Sequence, residues 1–275
     1  GRHPLMYSTW GEIRLAGASQ AKFPRLWVAL EDYNSKGAQE AEAAKSKMGA
    51  VGRDYLASLT EKQKESFPTF ERKLKIKVLR ADSAVFSILE LESSYTGGAH
   101  PMYGYDGKTF SSITGKELTL ADVFADKKQL SAAIIVELKA NYPKASFMAS
   151  DAARKEMEEA VREAVVTGKI SWILDTTGAN FYFNPYHIGS YMEGVFVAHL
   201  PYDKRQTLFK ETFPPAPVAV KMNSSALWLC LCCGKKQKKE KELYVMISVK
   251  YASSRKVFSF LFFKKRLNKT PLFAI

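Results

Sequence analysis

The residue types that could carry chemistry in this chain are a histidine and the tyrosines around it. His100 lies in the stretch Tyr95-Thr-Gly-Gly-Ala-His-Pro-Met-Tyr-Gly-Tyr105. The proline that follows keeps His100 in an extended or turn conformation. Because the ordinary pKa of histidine is about 6.5, His100 could act as a general base. That role would require a carboxylate brought near by folding, and Glu193 and Asp106 are the two we consider.

Two other interpretations use the same histidine. A zinc site would require convergence of His100, His187, His199 and Glu193, although His187 and His199 lack the short spacing of zinc motifs. In the simplest interpretation, His100 hydrogen-bonds its own turn and packs on tyrosines. No nucleophile or carboxylate has a recognisable catalytic spacing around it. We therefore predict no cofactor and no metal, and we favour a non-catalytic role over an enzyme.

A second aromatic stretch, Phe181-Tyr-Phe-Asn-Pro-Tyr-His-Ile-Gly-Ser-Tyr191, also follows a predicted strand. Tyrosines supply rigid, amphipathic contact area for a glycan or a protein, although they can equally fill a core. Paired glycines in the first stretch suggest positive φ or close backbone contact. We expect both stretches to share one surface at an edge of the sheet. The predicted ligand-binding residues are Tyr95, Gly97, Gly98, His100, Pro101, Tyr103, Tyr105, Tyr186, His187 and Tyr191.

The net charge of +13 is concentrated at one end of the chain. Residues 221–275 hold 13 Lys/Arg and 2 Asp/Glu, so the preceding 220 residues carry a net charge of only +2. A near-neutral globular part argues against a nucleic-acid partner. All three cysteines lie in Cys230-Leu-Cys-Cys233, beside a lysine cluster typical of a palmitoylated membrane contact. We favour instead a C-terminal extension that is disordered or artefactual, and we predict no membrane contact through it.

The periodicity of apolar residues predicts strands at both ends of a helical middle, which indicates an α+β fold: an antiparallel sheet with helices packed on one face. A long helical pattern begins at Phe23, and we expect glycines at 37, 49 and 52 to interrupt it. Asp106-Gly107 is a strong signal for a hairpin turn. Phe213-Pro-Pro-Ala-Pro217 contains helix and strand breakers. We place one domain at 1–217, with its motifs in roughly 70–213, and an irregular basic extension at 218–275.

The GGAHP stretch and the FxFNPYxIxxY stretch together resemble a known family. They are similar to the extracytoplasmic domain shared by RsiV-type anti-sigma factors and the N-terminal part of PdaC-type peptidoglycan deacetylases. The similarity covers roughly residues 15–213 and departs from the family pattern at Met102 and His187, where Asn and Glu are more usual. These departures concern ligand specificity.

This resemblance implies a non-catalytic binding or sensing module of the bacterial cell envelope, located outside the cytoplasm. RsiV-type domains sense lysozyme by binding it, so the implied partner is a lysozyme-like protein or a peptidoglycan fragment. The alternative is a hydrolase acting on a cell-wall component through His100 and a nearby carboxylate. The metal motifs of the deacetylases and a sigma-binding segment are not recognisable in the sequence. The chain begins at Gly1 without a signal or anchor, and whether one was removed stays open.

Overall fold

The larger of two β-sheets is built mainly from the first 111 residues. A computed structural model describes residues 6–65, 67 and 69–210, together with the backbone of 245–251 and 258–263. The sheet contains four strands from the N-terminal part, which are β1 (Met6–Leu15), β2 (Phe70–Ala81), β3 (Val85–Tyr95) and β4 (Met102–Ser111). Alternation of apolar and lysine residues in β2 matches the half-buried strand that such a pattern predicts.

Between β1 and β2 the chain forms three helices: α1 (Gly17–Lys22), α2 (Pro24–Ala57) and α3 (Glu61–Glu65). This long crossover returns the chain in the same direction, and β1 therefore pairs with β2 in parallel, with Met6 opposite Phe70. The pairs β2–β3 and β3–β4 are antiparallel. The α+β class predicted from the sequence is confirmed. The larger sheet is nevertheless mixed rather than purely antiparallel.

Helix α2 is continuous over 34 residues, so the predicted interruption at its glycines is wrong. The physical reason is packing rather than chain flexibility. Gly49 and Gly52 are buried, and a Cβ on Gly52 would lie 3.4 Å from the Phe70 ring. That distance is an ordinary van der Waals contact, so the helix packs on β2 without requiring a glycine at this position. The gain in packing outweighs a helix-propensity cost of about 1 kcal/mol.

Asp106 and Gly107 lie inside β4 and pair with Glu90 and Leu89, so the predicted hairpin turn at this position is also wrong. A Cβ on Gly107 would come within 2.1 Å of the Trp172 carbonyl oxygen. The glycine is therefore required by a close approach between two distant parts of the chain, because any side chain would collide there.

The second part of the chain forms a helical layer and a smaller sheet. Its helices are α4 (Leu120–Val123), α5 (Lys127–Asn141) and α6 (Asp151–Thr167), and its antiparallel strands are β5 (Ser171–Leu174), β6 (Gly178–Phe183) and β7 (Phe196–Pro201). Ser150 caps α6 by accepting a hydrogen bond from Ala153 N, Gly168 ends it at φ 72°, and both residue types are typical of these positions. Apolar residues from these helices and strands form one buried core.

The C-terminal extension contributes two described strands to the larger sheet. Strand β8 (Val245–Tyr251) pairs antiparallel with β1, and β9 (Phe258–Phe263) pairs with β8. In these two segments the extension is not irregular, contrary to the sequence-based expectation. The proposed boundary at residue 217, the Cys230–Cys233 cluster and the lysine cluster lie outside the described residues. Among the helices that the structure does describe, none is both long and apolar enough to cross a membrane.

Candidate functional site

The two aromatic stretches meet at one surface. We call loop one the segment Tyr95–Tyr105 and loop two the segment 184–194. The rings of His100 and Tyr191 stack with centroids 3.8 Å apart, and Tyr191 Oη donates a hydrogen bond of 2.5 Å to the Pro101 carbonyl oxygen. Tyr103 meets the Tyr191 ring edge-on, and Tyr186 lies 5.8 Å from it. We call these four side chains, His100, Tyr103, Tyr186 and Tyr191, the aromatic surface.

Asn184 holds the start of loop two against strand β4. Its Oδ1 accepts a hydrogen bond of 2.7 Å from Tyr105 N, and its Nδ2 donates one of 3.0 Å to Tyr105 O. The amide thereby takes the place of a neighbouring strand at the edge of the sheet. Gly104 leaves room for it, because a Cβ there would lie 3.1 Å from Asn184 Nδ2. The side chain of Asn184 thus fixes the distance between the two loops.

Glu193 anchors the other end of loop two. Its carboxylate accepts hydrogen bonds of 2.7 Å from both N and Oγ of Ser146, and of 2.9 Å from both N and Oγ of Ser190. The hydrogen bonds from Ser146, followed by those from Ser190, lower the pKa of Glu193 to about 2. A carboxylate with four donors is a structural acceptor, and this arrangement ties loop two to the turn before α6.

Tyr186 occupies an unusual backbone position. Its φ is 69°, and among the described residues no other non-glycine residue has a positive φ. Its side chain is nevertheless 59% exposed. A tyrosine in the left-handed region costs of order 1–2 kcal/mol, and burial of this side chain repays little of it.

The two glycines of loop one behave differently from each other. Gly97 has φ 84°, as expected for a residue that turns the chain. Gly98 lacks a positive φ, and a Cβ placed on it would meet nothing within 4 Å. The predicted requirement for glycine is therefore wrong at Gly98. Tyr95 lies at the end of β3, opposite Glu71, and is not part of the aromatic surface.

Tyr105, His187 and His199 also lie away from the stacked rings. Tyr105 stacks on Tyr182 at 5.7 Å. His187 is tilted against Phe183, and partial burial lowers its pKa. His199 Nδ1 lies 2.9 Å from Asn180 Oδ1, an arrangement in which the ring is held on the small sheet.

The geometry does not favour the catalytic or zinc interpretations. Glu193 is occupied by its serine donors, and Asp106 forms an ion pair with Lys108 at 2.7 Å. His100 Nδ1 lies 3.2 Å from its neighbouring Pro101 carbonyl oxygen, a weak and local contact. Within the described residues, no group of three or more His, Cys, Asp or Glu side chains could hold a metal ion.

Sequence reasoning missed the anchoring residues, although one of them had a readable signal. Ser190-Tyr-Met-Glu193 has the S-x-x-E spacing of a capping box, and it does cap a short 3-10 helix at Tyr191–Glu193. The role of Asn184 had no comparable signal, because its partner Tyr105 is 79 positions away in the sequence.

A family model matches the part of the chain that carries loop two. Residues 121–203 match the family described as "Protein of unknown function (DUF3298)". This segment, from α4 to β7, is therefore similar to DUF3298 domains, and it excludes loop one. No curated protein matches the chain.

Two solved structures of DUF3298 proteins are similar to the chain. A family member from Bacteroides fragilis is 16% identical, with 70% of this chain and 75% of that one covered and a TM-score of 0.44. A family protein from Pseudomonas aeruginosa is 18% identical, with 78% and 99% covered and a TM-score of 0.44. The finer resemblance to RsiV-type and PdaC-type proteins continues to rest on the two sequence motifs.

Proposed function

We propose that the aromatic surface is the binding site of a non-catalytic cell-envelope module. The observation that carries this proposal is Tyr186, an exposed side chain held at a strained φ of 69° and in ring contact with Tyr191. Backbone strain at a residue whose side chain gains little stability from burial indicates a function of that exposed side chain. Rigid, exposed tyrosines are typical of binding hot spots.

The contacts inside the surface support binding rather than turnover. A binding surface needs side chains that are already ordered, because ordering them on association would cost affinity. The stack of His100 on Tyr191 and the hydrogen bond from Tyr191 to Pro101 supply that order. A general base would instead need a free ring nitrogen beside a carboxylate, and both candidate carboxylates have other partners.

The partner and the location follow from the motif resemblance alone. By analogy with RsiV-type sensors, the module lies outside the cytoplasm and binds a lysozyme-like protein. A peptidoglycan fragment is the second ligand to be tested, because the PdaC-type resemblance points to the cell wall.

Calorimetric titration of the full chain with lysozyme tests the proposal directly. Tyr186→Ala and Tyr191→Ala should each weaken binding about tenfold or more, which corresponds to about 1.4 kcal/mol. Trp27→Ala is the matched control, because Trp27 is a partly exposed aromatic residue on α2, outside both loops. Its affinity should equal that of the wild type.

His100→Ala separates the binder from the enzyme. We expect it to reduce affinity less than either tyrosine substitution, since it removes a supporting ring and no reacting group. Loss of muropeptide turnover in His100→Ala, with binding intact, would establish the hydrolase instead. Failure of both lysozyme and peptidoglycan fragments to bind the wild-type chain would refute the proposed partners.

A further inference from the structure

A groove of about 650 Å³ lies between the C-terminal half of α2 and the adjoining ends of β2 and β3. Its floor includes Phe70, Arg72 and Glu92, and its helical wall includes Met48, Val51 and Tyr55. Gly97 and Gly98 of loop one form part of its lining, but none of the four side chains of the aromatic surface does. The groove is thus a separate feature from the proposed binding surface.

Arg72 is the unusual residue of this groove. It is only 7% exposed, and it faces α2 together with the apolar residues Phe70 and Leu74 of the same strand. Its Nε and Nη2 donate hydrogen bonds of 2.7 and 2.9 Å to the two carboxylate oxygens of Glu92. Its Nη1 is buried and has no hydrogen-bond partner among the residues that the structure describes.

A buried guanidinium nitrogen without an acceptor is costly. An unsatisfied buried donor typically costs about 1–3 kcal/mol, and more when it belongs to a charged group. Glu92 does not supply the missing bond, since its two oxygens face Nε and Nη2 of the guanidinium. An acceptor from outside the described chain would satisfy Arg72, and the groove is the space in which it could lie.

The helical wall of the groove presents exposed apolar side chains. Val51 is 52% and Tyr55 is 48% exposed, although both belong to a helix that is packed on the sheet. Tyr55 contacts Phe67, whose ring stacks on Phe70 at 5.4 Å. An apolar wall beside a few placed polar groups is the usual composition of a small-molecule site.

We propose that this groove binds a small ligand that has a carboxylate head and an apolar tail. The head would accept a hydrogen bond from Arg72 Nη1, and the tail would lie along Met48, Val51 and Tyr55. Charge favours an anion, because Arg72 and the exposed Lys47 line the groove together with one acidic residue, Glu92. Arg72 suits a carboxylate through its planar set of donors.

Access to Nη1 requires a small movement of the lining, because the nitrogen is shielded from solvent. Met48 lines the groove, and its unbranched thioether side chain changes rotamer easily. The inference does not depend on the aromatic surface. A result that lysozyme does not bind would therefore not contradict this inference. A result that decanoate does not bind would likewise not contradict the proposed function of the aromatic surface.

Decanoate is the probe, and the full chain is titrated with it by calorimetry. Saturable binding should be at least about tenfold tighter than binding of decanol, which lacks the carboxylate, and of acetate, which lacks the tail. Val51→Glu should weaken decanoate binding at least about tenfold, because it places a charge on the apolar wall. Val166→Glu adds the same charge to another exposed helical valine, at 61% exposure, and should bind as the wild type does.

Arg72→Lys tests the head group separately. Lysine keeps the positive charge but loses the planar donors, so the preference for decanoate over decanol should fall at least about tenfold. If this variant does not fold, the comparison of decanoate with decanol in the wild type decides the same point. Absence of decanoate binding, equal binding of decanol, or equal weakening by Val166→Glu would overturn the proposal.

Discussion

The two loops of the aromatic surface are held in different ways. Loop two is fixed from within the second part of the chain by Glu193, which accepts hydrogen bonds from Ser146 and Ser190. The tip of loop one instead receives its described contacts largely from loop two, through Tyr191, which stacks on His100 and bonds to Pro101. The aromatic surface is therefore organised by loop two, and the tip of loop one lies against it.

The loops also differ in the residues that adopt a positive φ, because only loop two has a residue other than glycine in that conformation. In loop one, the positive φ falls on Gly97, which tolerates it at little cost. In loop two it falls on Gly194, which also tolerates it, and on Tyr186, for which the same conformation is unfavourable. A positive φ at a glycine is explained by the turn alone. A positive φ at a tyrosine costs backbone energy, and we interpret it as the cost of directing the side chain to the surface.

The largest effect is expected where the two loops are joined. Asn184→Ala should lower the free energy of unfolding by about 2–3 kcal/mol, because it leaves both N and O of Tyr105 without a partner. Urea denaturation measures the change. Asn141→Ala, at an exposed position at the end of α5, is the control and should change stability by less than about 0.5 kcal/mol. Equal midpoints for the two variants would show that Asn184 does not join the loops.

A smaller effect separates the two glycines of loop one. Gly97→Ala should destabilise by about 1–2 kcal/mol, because alanine at φ 84° brings its Cβ close to the backbone. Gly98→Ala should leave the denaturation midpoint unchanged, since its Cβ meets nothing within 4 Å. Equal loss of stability in both variants would mean that the pair acts through chain flexibility, not through one turn.

The matching experiment in loop two uses two truncations of the same side chain. Tyr186→Gly and Tyr186→Ala both remove the ring, but only glycine accepts φ 69° without strain. The glycine variant should therefore be more stable than the alanine variant by about 0.5–1 kcal/mol, the loss of strain being partly offset by a more flexible unfolded chain. Both should lose affinity for the partner alike. A less stable glycine variant would remove the argument from strain.

Much of this fold could be predicted from local sequence, and the errors share one cause. The alternation in β2 and the caps of α6 were readable, because each depends on residues close together in the chain. The glycines of α2 are tolerated in a helix that is packed on the sheet, and Gly107 is required by the close approach of Trp172, which is distant in sequence. Local propensity gives no information about such a contact.

The candidate site also combines features that depend on nearby residues, which could be predicted, with long-range contacts, which could not. The convergence of the two loops could be predicted, because each loop follows a strand and the sheets offer few edges at which such loops can lie. The anchoring of Tyr105 by Asn184 could not, because an asparagine before a proline equally indicates a turn. The burial of Arg72 could be predicted in principle, because Arg72, Leu74 and Ile76 are alternate residues of β2 and therefore lie on the same face of the strand.

The smallest expected effect concerns the anchor of loop two and its dependence on pH. Hydrogen bonds lower the pKa of Glu193 to about 2 in the folded protein, against about 4.3 for an unfolded glutamate. A carboxylate with a depressed pKa stabilises the fold fully above its unfolded pKa, and that stabilisation is lost as the pH falls through the folded pKa. The wild type should therefore exceed Glu193→Gln in stability at pH 7, and the gap should close between about pH 5 and pH 2.

Urea midpoints of the two proteins at pH 7, 5 and 3 measure that gap. Asp122, whose pKa is also lowered to about 2, titrates equally in both proteins, so the difference isolates Glu193. We expect the gap to be modest, because solvent screens a carboxylate as accessible as this one. A gap that stays constant from pH 7 to pH 3 would mean that Glu193 acts only through its shape and neutral hydrogen bonds. Loop two would then owe its order to Asn184 and ring packing, and the contrast in anchoring between the loops would weaken accordingly.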